Sequence, residues 1–206
     1  GASTLVSVKL GQKDYDGANH ILGNVLVLNV LLGVGFTLVF WLLLDPILYF
    51  FGASEQTIGY ARDYMRIILL GNVITHMYLG LNSVLRSSGF PKMAMYATLS
   101  SVIINCVLNP LFIFVFNWGI QGSAWATVIS QAISLTGQLV HFSKPTQLLH
   151  FRKGIYRLRT EIVQAILSIG LSPFLMNLCS CMIVILINRG LKEHGGDMAI
   201  CAFCIV

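Results

Sequence analysis

The sequence is poor in charge. Asp, Glu, Lys and Arg together make up 10% of the 206 residues, where a soluble domain carries roughly a quarter. With 56% of residues hydrophobic, the chain has too little polar surface to cover itself in water, which excludes an ordinary soluble globule. The charges stand in short islands between long uncharged runs, the pattern of a chain whose solvent is the bilayer. The mean hydropathy of +0.78 is correspondingly uneven. Motifs of the common chemistries are also missing. There is no GxSxG, no HExxH, no Walker loop and no pair of intramembrane carboxylates that could hold magnesium for phosphoryl or prenyl transfer. An enzyme reading therefore has no residue to start from.

Nor do the cysteines form a framework. Cys106, Cys179, Cys181, Cys201 and Cys204 are an odd set in or beside apolar runs, where a free thiol behaves as a small hydrophobe. Cys201 and Cys204 have CxxC spacing but no second pair and no turn glycine, which argues against zinc or redox chemistry. The net charge of +5 could suggest nucleic acid. The basic residues sit in loops beside apolar runs, however, so anionic lipid headgroups are the better counter-charge and no nucleic-acid partner is expected. There is no signal-peptide pattern, no soluble domain and no low-complexity linker.

What the chain has is length without charge. Five runs lack Asp, Glu, Lys and Arg: Ile21 to Leu44, Ile67 to Leu85, Met93 to Phe116, Gly122 to Phe142 and Ile162 to Asn188, of 24, 19, 24, 21 and 27 residues. About 20 helical residues cross a hydrocarbon core of roughly 30 Å, so each is predicted to span. The fold class is all-α, a polytopic membrane helix bundle. Gly1 to Val8 reads as the tail of an earlier span and Met198 to Val206 as the start of a later one, so the natural protein is expected to be longer.

Loops alternate sides as the chain crosses. One side receives Lys9, Lys13, Arg86, Lys92, Lys144, Arg152, Lys153, Arg157 and Arg159, nine in all; the other receives Arg62, Arg66, Arg189 and Lys192, four in all. The positive-inside rule places the nine in the cytoplasm. The longest connector, Ser143 to Glu161, interleaves apolar and basic residues and is expected to lie on the membrane surface as an amphipathic segment.

The sharpest constellation of polar residues lies around Trp118. Asn109 precedes it by nine residues and Thr127 follows it by nine, which places both about 13 Å from the turn, near mid-membrane depth, if the helices are regular. Asn105 and Gln131, each thirteen residues away, form a second level pair at about 20 Å. Asn105 and Asn109 share a helix face, and Thr127, Ser130, Gln131, Ser134 and Gln138 form one stripe. Two readings are open. Such residues glue membrane helices together by hydrogen bonds worth about 0.6 kcal/mol each, or they line a wet cavity that binds a cation through side-chain oxygens. Pro110 weakens the backbone ladder beside Asn109 and can free a carbonyl there. His76, the ionisable group well inside a span, is either a packing residue or a candidate proton relay.

These residues also carry a resemblance. Asn82-Ser-Val-Leu-Arg-Ser-Ser-Gly-Phe-Pro-Lys92, Asn105-Cys-Val-Leu-Asn-Pro-Leu-Phe-Ile-Phe114 and Gly119-Ile-Gln-Gly-Ser-Ala-Trp-Ala-Thr-Val-Ile-Ser-Gln131 resemble multidrug and toxic compound extrusion (MATE) transporters from their fourth to sixth helices. Leu10-Gly-Gln-Lys-Asp14 is similar to the family's loop after the second helix, and Gly170-Leu-Ser-Pro-Phe-Leu-Met176 to the seventh helix of its MepA-like branch. The resemblance implies a twelve-helix antiporter of two lobes. It would export cationic or amphipathic drugs in exchange for protons or sodium by alternating access, as a monomer without a cofactor, in the bacterial inner membrane among lipids. Residues 1–142 would form most of the amino-terminal lobe, 143–161 the connector and 162–206 the start of the second lobe, a fragment expected to be inactive alone.

By the same resemblance, the cation and substrate cavity falls on Asn105, Asn109 and Thr127, with Gln131 and Ser134 further along the stripe. The family's Asp at the second of these positions is Asn109 here, and an amide does not titrate near neutral pH. Where some branches carry a Glu, this chain has Cys181. A lipid-linked oligosaccharide flippase of the same superfamily would call for cationic residues within the spans, and these spans have none. A non-transporting membrane scaffold is the remaining alternative.

Overall fold

A computed structural model describes residues 1–51, 55–145, 147–152 and 154–205, side chains at 188–189 and 191–205 set aside. Every regular element among them is helical: α1 (Ala2–Gly11), α2 (Tyr15–Leu42), α3 (Leu44–Phe50), α4 (Ile58–Leu70), α5 (Asn72–Ser87), α6 (Pro91–Pro110), α7 (Gly119–Ser143) and α8 (Thr160–Ile205), with a π-helical stretch Leu111–Val115 continuing α6. Asp14 starts α2 by accepting the Gly17 N–H at 2.9 Å. Its carboxyl is held below the usual range by its hydrogen bond to Lys9 and by the Gly17 amide. Proline at the first turn starts α6, where its missing N–H is no loss.

Helices α2, α5, α6 and α7 pack on one another, while α8 leans on α1 and α2. Val6, Ile21, Leu22, Leu81, Leu85 and Phe142 close the core at one end. Toward the other end a smaller cluster gathers Ile67, Ala124 and Val128. The outward faces are apolar as well: Leu42 is 82%, Phe114 75% and Met176 71% exposed. A surface of this kind belongs against lipid tails, not water.

Three helices, α2, α6 with its π-helical extension, and α8 over Thr160–Ile187, are long and apolar enough to cross a bilayer as single pieces. Helix α7 has the 25 residues a crossing needs. The predicted span Ile67 to Leu85 is instead broken. Helices α4 and α5 meet at Gly71 with a bend of 56°, and the junction packs so closely on α7 that a side chain at Gly71 would run into Val128. Val128, which a simple helical wheel turns toward lipid, is buried in that contact.

Over its described residues the connector is an irregular strap tied to the start of α2, with Leu148, Tyr156 and Leu158 exposed. Buried Asn19 accepts the His150 N–H at 2.9 Å and donates to the Leu148 carbonyl at 3.5 Å. Buried Asn24 accepts the Arg159 N–H at 3.0 Å and donates to the Arg157 carbonyl at 3.2 Å. These amides supply the backbone partners that a helix would have found within itself, and Leu149 and Ile155 turn inward, Ile155 sitting on Gly23. A further difference lies at Arg189 to Asp197, where a loop between two spans was expected and α8 runs on unbroken. A helix absorbs Gly190, Gly195 and Gly196 at about 1 kcal/mol each. The side chains of Cys201 and Cys204 lie outside the described residues, as do those of Arg189 and Lys192. Cys106, Cys179 and Cys181 are free, exposed thiols.

Candidate functional site between α6 and α7

Helices α6 and α7 form a tight hairpin. Asn117 and Gly119 take left-handed conformations at the turn, with φ of 55° each, and Gly122 lets α7 approach the Phe112 backbone so closely that a Cβ would lie 2.9 Å from its carbonyl carbon. Ala124 and Ala126 are fully buried. Close approach of this kind brings the polar side chains of the two helices within reach of each other.

Those side chains form a directional chain. Asn109 donates through Nδ2 to Asn105 Oδ1 at 3.1 Å, Asn105 donates through Nδ2 to Thr127 Oγ1 at 3.2 Å, and Thr127 passes its hydroxyl proton to the Ser123 carbonyl at 3.0 Å. Each donor is thus answered in one direction. The chain leaves a single loose end, Asn109 Oδ1, which is buried and without a partner. No member is charged. A buried acceptor in a low-dielectric setting is short of a proton donor or a cation, and its desolvation is uncompensated until one arrives.

The expected level pairs are displaced by one turn. Thr127 meets Asn105 rather than Asn109, and Gln131 does not meet Asn105 at all: its Oε1 accepts the Thr75 hydroxyl of α5 at 2.6 Å. The π-helical stretch after Pro110 accounts for part of this shift. Its i→i+5 bonds, among them Phe116 N–H to the Leu111 carbonyl at 3.1 Å, place an extra residue in the turn. Counting back from Trp118 on a regular α-helix therefore overestimates the depth of α6.

Ser134 lies two turns beyond Thr127, buried in a cleft between α6 and α7 with its Oγ unpartnered. His76 is not brought to this site. It stacks on Phe36 of α2, ring centroids 6.2 Å apart, in a separate cleft with Phe40, Met65, Ile68, Leu69 and Asn72. No carboxylate lines that cleft to pass on a proton. Sequence reasoning did not assign Asn82 to a site. Buried, it donates to the Ala94 carbonyl at 3.0 Å and accepts two guanidinium bonds from Arg86 at 3.1 and 2.7 Å. The signal was its i, i+4 spacing from Arg86.

The MatE family model matches residues 1–111, more than half of the chain, including Asn105 and Asn109. The chain belongs to the MatE family. It is 29% identical over 195 residues to the multidrug export protein MepA of Staphylococcus haemolyticus, which covers 95% of this chain and 43% of that one. MepA of Staphylococcus aureus is 27% identical over the full 205 residues aligned, 45% of its own length. This MatE chain thus spans less than half the length of the curated relatives it matches. It superposes on the inward-facing conformation of a multidrug resistance MATE family transporter of the MOP superfamily with a TM-score of 0.91, at 26% identity, over 98% of this chain and 46% of that one. On an outward-facing conformation of such a transporter the TM-score is 0.86, at 27% identity, over 98% and 45%. The relatives are transporters rather than enzymes, and MatE membership makes the apolar helices crossings of a multi-pass membrane protein.

Proposed function

We propose that this chain is the part of a multidrug efflux antiporter that binds the coupling ion. In this reading residues 1–142 belong to the first lobe, 143–161 join it to the second, and 162–206 begin the second. The full carrier exports cationic or amphipathic small molecules across a bacterial cytoplasmic membrane by alternating access. The observation that carries the reading is the loose end of the amide chain: Asn109 Oδ1, buried, acceptor only and unanswered. Supporting it is the kinship with multidrug export proteins.

With an amide at this position, the site does not gain or lose a proton near neutral pH. It offers neutral oxygens to a cation, and Asn105 and Thr127 hold the ligating amide in place through hydrogen bonds. A bound sodium ion satisfies Asn109 Oδ1; its departure leaves that oxygen bare, a difference that biases one arrangement of the helices over another. Coupling through this site therefore favours sodium, or a proton carried elsewhere in the protein.

The test is efflux of a fluorescent cationic drug from vesicles holding the full-length carrier, across imposed pH and sodium gradients and at matched protein levels. Asn109→Leu removes the oxygen at similar bulk and lowers export about tenfold, the equivalent of one lost interaction with a charge. Asn109→Asp keeps export and steepens its dependence on external pH or sodium, since it puts an ionisable group where the parent has an amide. Parental behaviour in both variants would reduce Asn109 to ordinary helix packing.

A further inference from the structure

The polar stripe of α7 divides halfway along. Thr127 and Gln131 are engaged by α6 and α5. Beyond them, Ser134 and Gln138 are 5% and 2% exposed, and Ser134 Oγ together with Gln138 Oε1 and Nε2 has no hydrogen-bond partner. Three buried polar atoms on successive turns are thus left unanswered where Leu or Ala would cost the helix nothing. Both residues line one space, a cleft of about 300 Å³ between α6 and α7. Its walls are mostly apolar, with Leu85, Met93 and Ile104 among them, and also carry Tyr96, Ser100 and the ring of His141. No Lys, Arg, Asp or Glu lines it.

This combination selects a ligand. A charged molecule would lose its hydration among apolar walls without meeting a counter-charge. A hydrocarbon would leave both halves of the Gln138 amide unpaired. A neutral head with one donor and one acceptor side by side answers both at once, because a primary amide pairs with another through two parallel N–H···O bonds. We infer that this cleft is a binding site for a neutral amphipathic small molecule, an amide, lactam or kindred donor–acceptor head on an apolar body, read by Gln138 with help from Ser134. The site is separate from the Asn109 end of the amide chain, and the Gln131–Thr75 bond stands between them along α7. Binding here does not depend on ion coupling.

The probe is 1-naphthamide, compared by fluorescence titration with 1-methylnaphthalene, which lacks the head, and with 1-naphthylmethylammonium, which carries a charge. The protein is the full-length chain purified in detergent. The parent binds the amide at least tenfold more tightly than either analogue, as two additional hydrogen bonds in a dry site require. Gln138→Leu removes that preference and leaves 1-methylnaphthalene binding as it was. Gly137 lines the same cleft, and a side chain there meets nothing within 4 Å. Gly137→Leu therefore fills the space and abolishes binding of both neutral probes without touching a polar group. Asn109→Leu leaves naphthamide affinity at the parental value, which separates failure here from failure of the ion site. If the parent binds no probe, the cleft holds water only and the inference falls. It falls equally if the parent ranks the three probes alike, if Gln138→Leu keeps the preference for the amide, or if naphthamide still binds the plugged variant.

Discussion

Buried amides are the residues on which this molecule turns, and they differ in how fully they are answered. Asn19 and Asn24 each bridge pieces of chain distant in sequence and Asn82 ties α5 to α6, all three with donor and acceptor both in use. Asn109 is answered on one side, and Gln138 on neither. The answered ones hold the fold; the unanswered ones mark where something else binds. Asn24 makes the first half of that statement testable. In Asn24→Leu the two backbone groups at Arg157 and Arg159 lose their partner at roughly 1 kcal/mol each, so the strap should open locally about thirtyfold more often. Limited proteolysis of the protein in detergent should then cut the connector faster than in the parent, with cleavage elsewhere unchanged. An unchanged cleavage rate would mean that Leu149 and Ile155 hold the strap without the amides. Such roles are poorly legible in sequence. Asn105, Asn109 and Thr127 stood out because their spacing about Trp118 put them on facing stripes. Asn19 and Asn24 gave no such signal, since their partners are backbone atoms of a segment more than a hundred residues away.

Helical elements follow from hydropathy and charge more readily than their shapes do. The uncharged runs located α2, α6, α7 and the start of α8, because the bilayer dictates both the length and the composition of a crossing. Pro110 marked a weak point in the backbone ladder, but nothing in those runs announced the break at Gly71 or the form the chain takes after Pro110, since a bend is set by what packs against it. At Gly71 one packing contact is identifiable: Val128 occupies the space a Cβ would need. Gly71→Leu should therefore destabilise the protein by about 1–3 kcal/mol through overpacking, read as a lower thermal midpoint in detergent. Val128→Ala removes the obstructing methyl groups and should restore most of that loss in the double variant, although Val128→Ala alone destabilises by opening a small cavity. Additive losses in the double variant would show that the bend is held by something other than this contact. The same reasoning accounts for part of the shift in the polar pairs, since a regular-helix count cannot register an extra residue in a π-turn.

At the scale of the whole molecule, the structure gathers the basic loops. The Ser7 hydroxyl at the end of α1 reaches the Ser87 carbonyl at the end of α5 at 3.5 Å. The connector is pinned to the start of α2 by Asn19 and Asn24, and Arg152 meets Asp16 there at 3.3 Å. Lys9, Lys13, Arg86, Lys92 and the arginines of the strap therefore share one end of the bundle. The opposite end holds the Asp45–Arg62 pair, 2.8 Å apart, and the contact between Gln121 and Asp63 at 3.1 Å. Sequence spacing implied this sorting by assuming that each run crosses once, and the packing arrives at it independently. Positively charged loops resist translocation, so the basic end should stay in the cytoplasm. A reporter active only in the cytoplasm, fused within 143–161 of the full-length protein, should be active, and the same reporter at 117–121 should be silent. The Gly71 bend tilts α4 but does not return the chain to the side it came from, so the alternation of ends is preserved through it. Activity at 117–121 with silence at 143–161 would invert the molecule. The Ser134 and Gln138 cleft, nearer the basic end of α7 than Thr127 is, would then lie toward the outside of the cell instead of the cytoplasm.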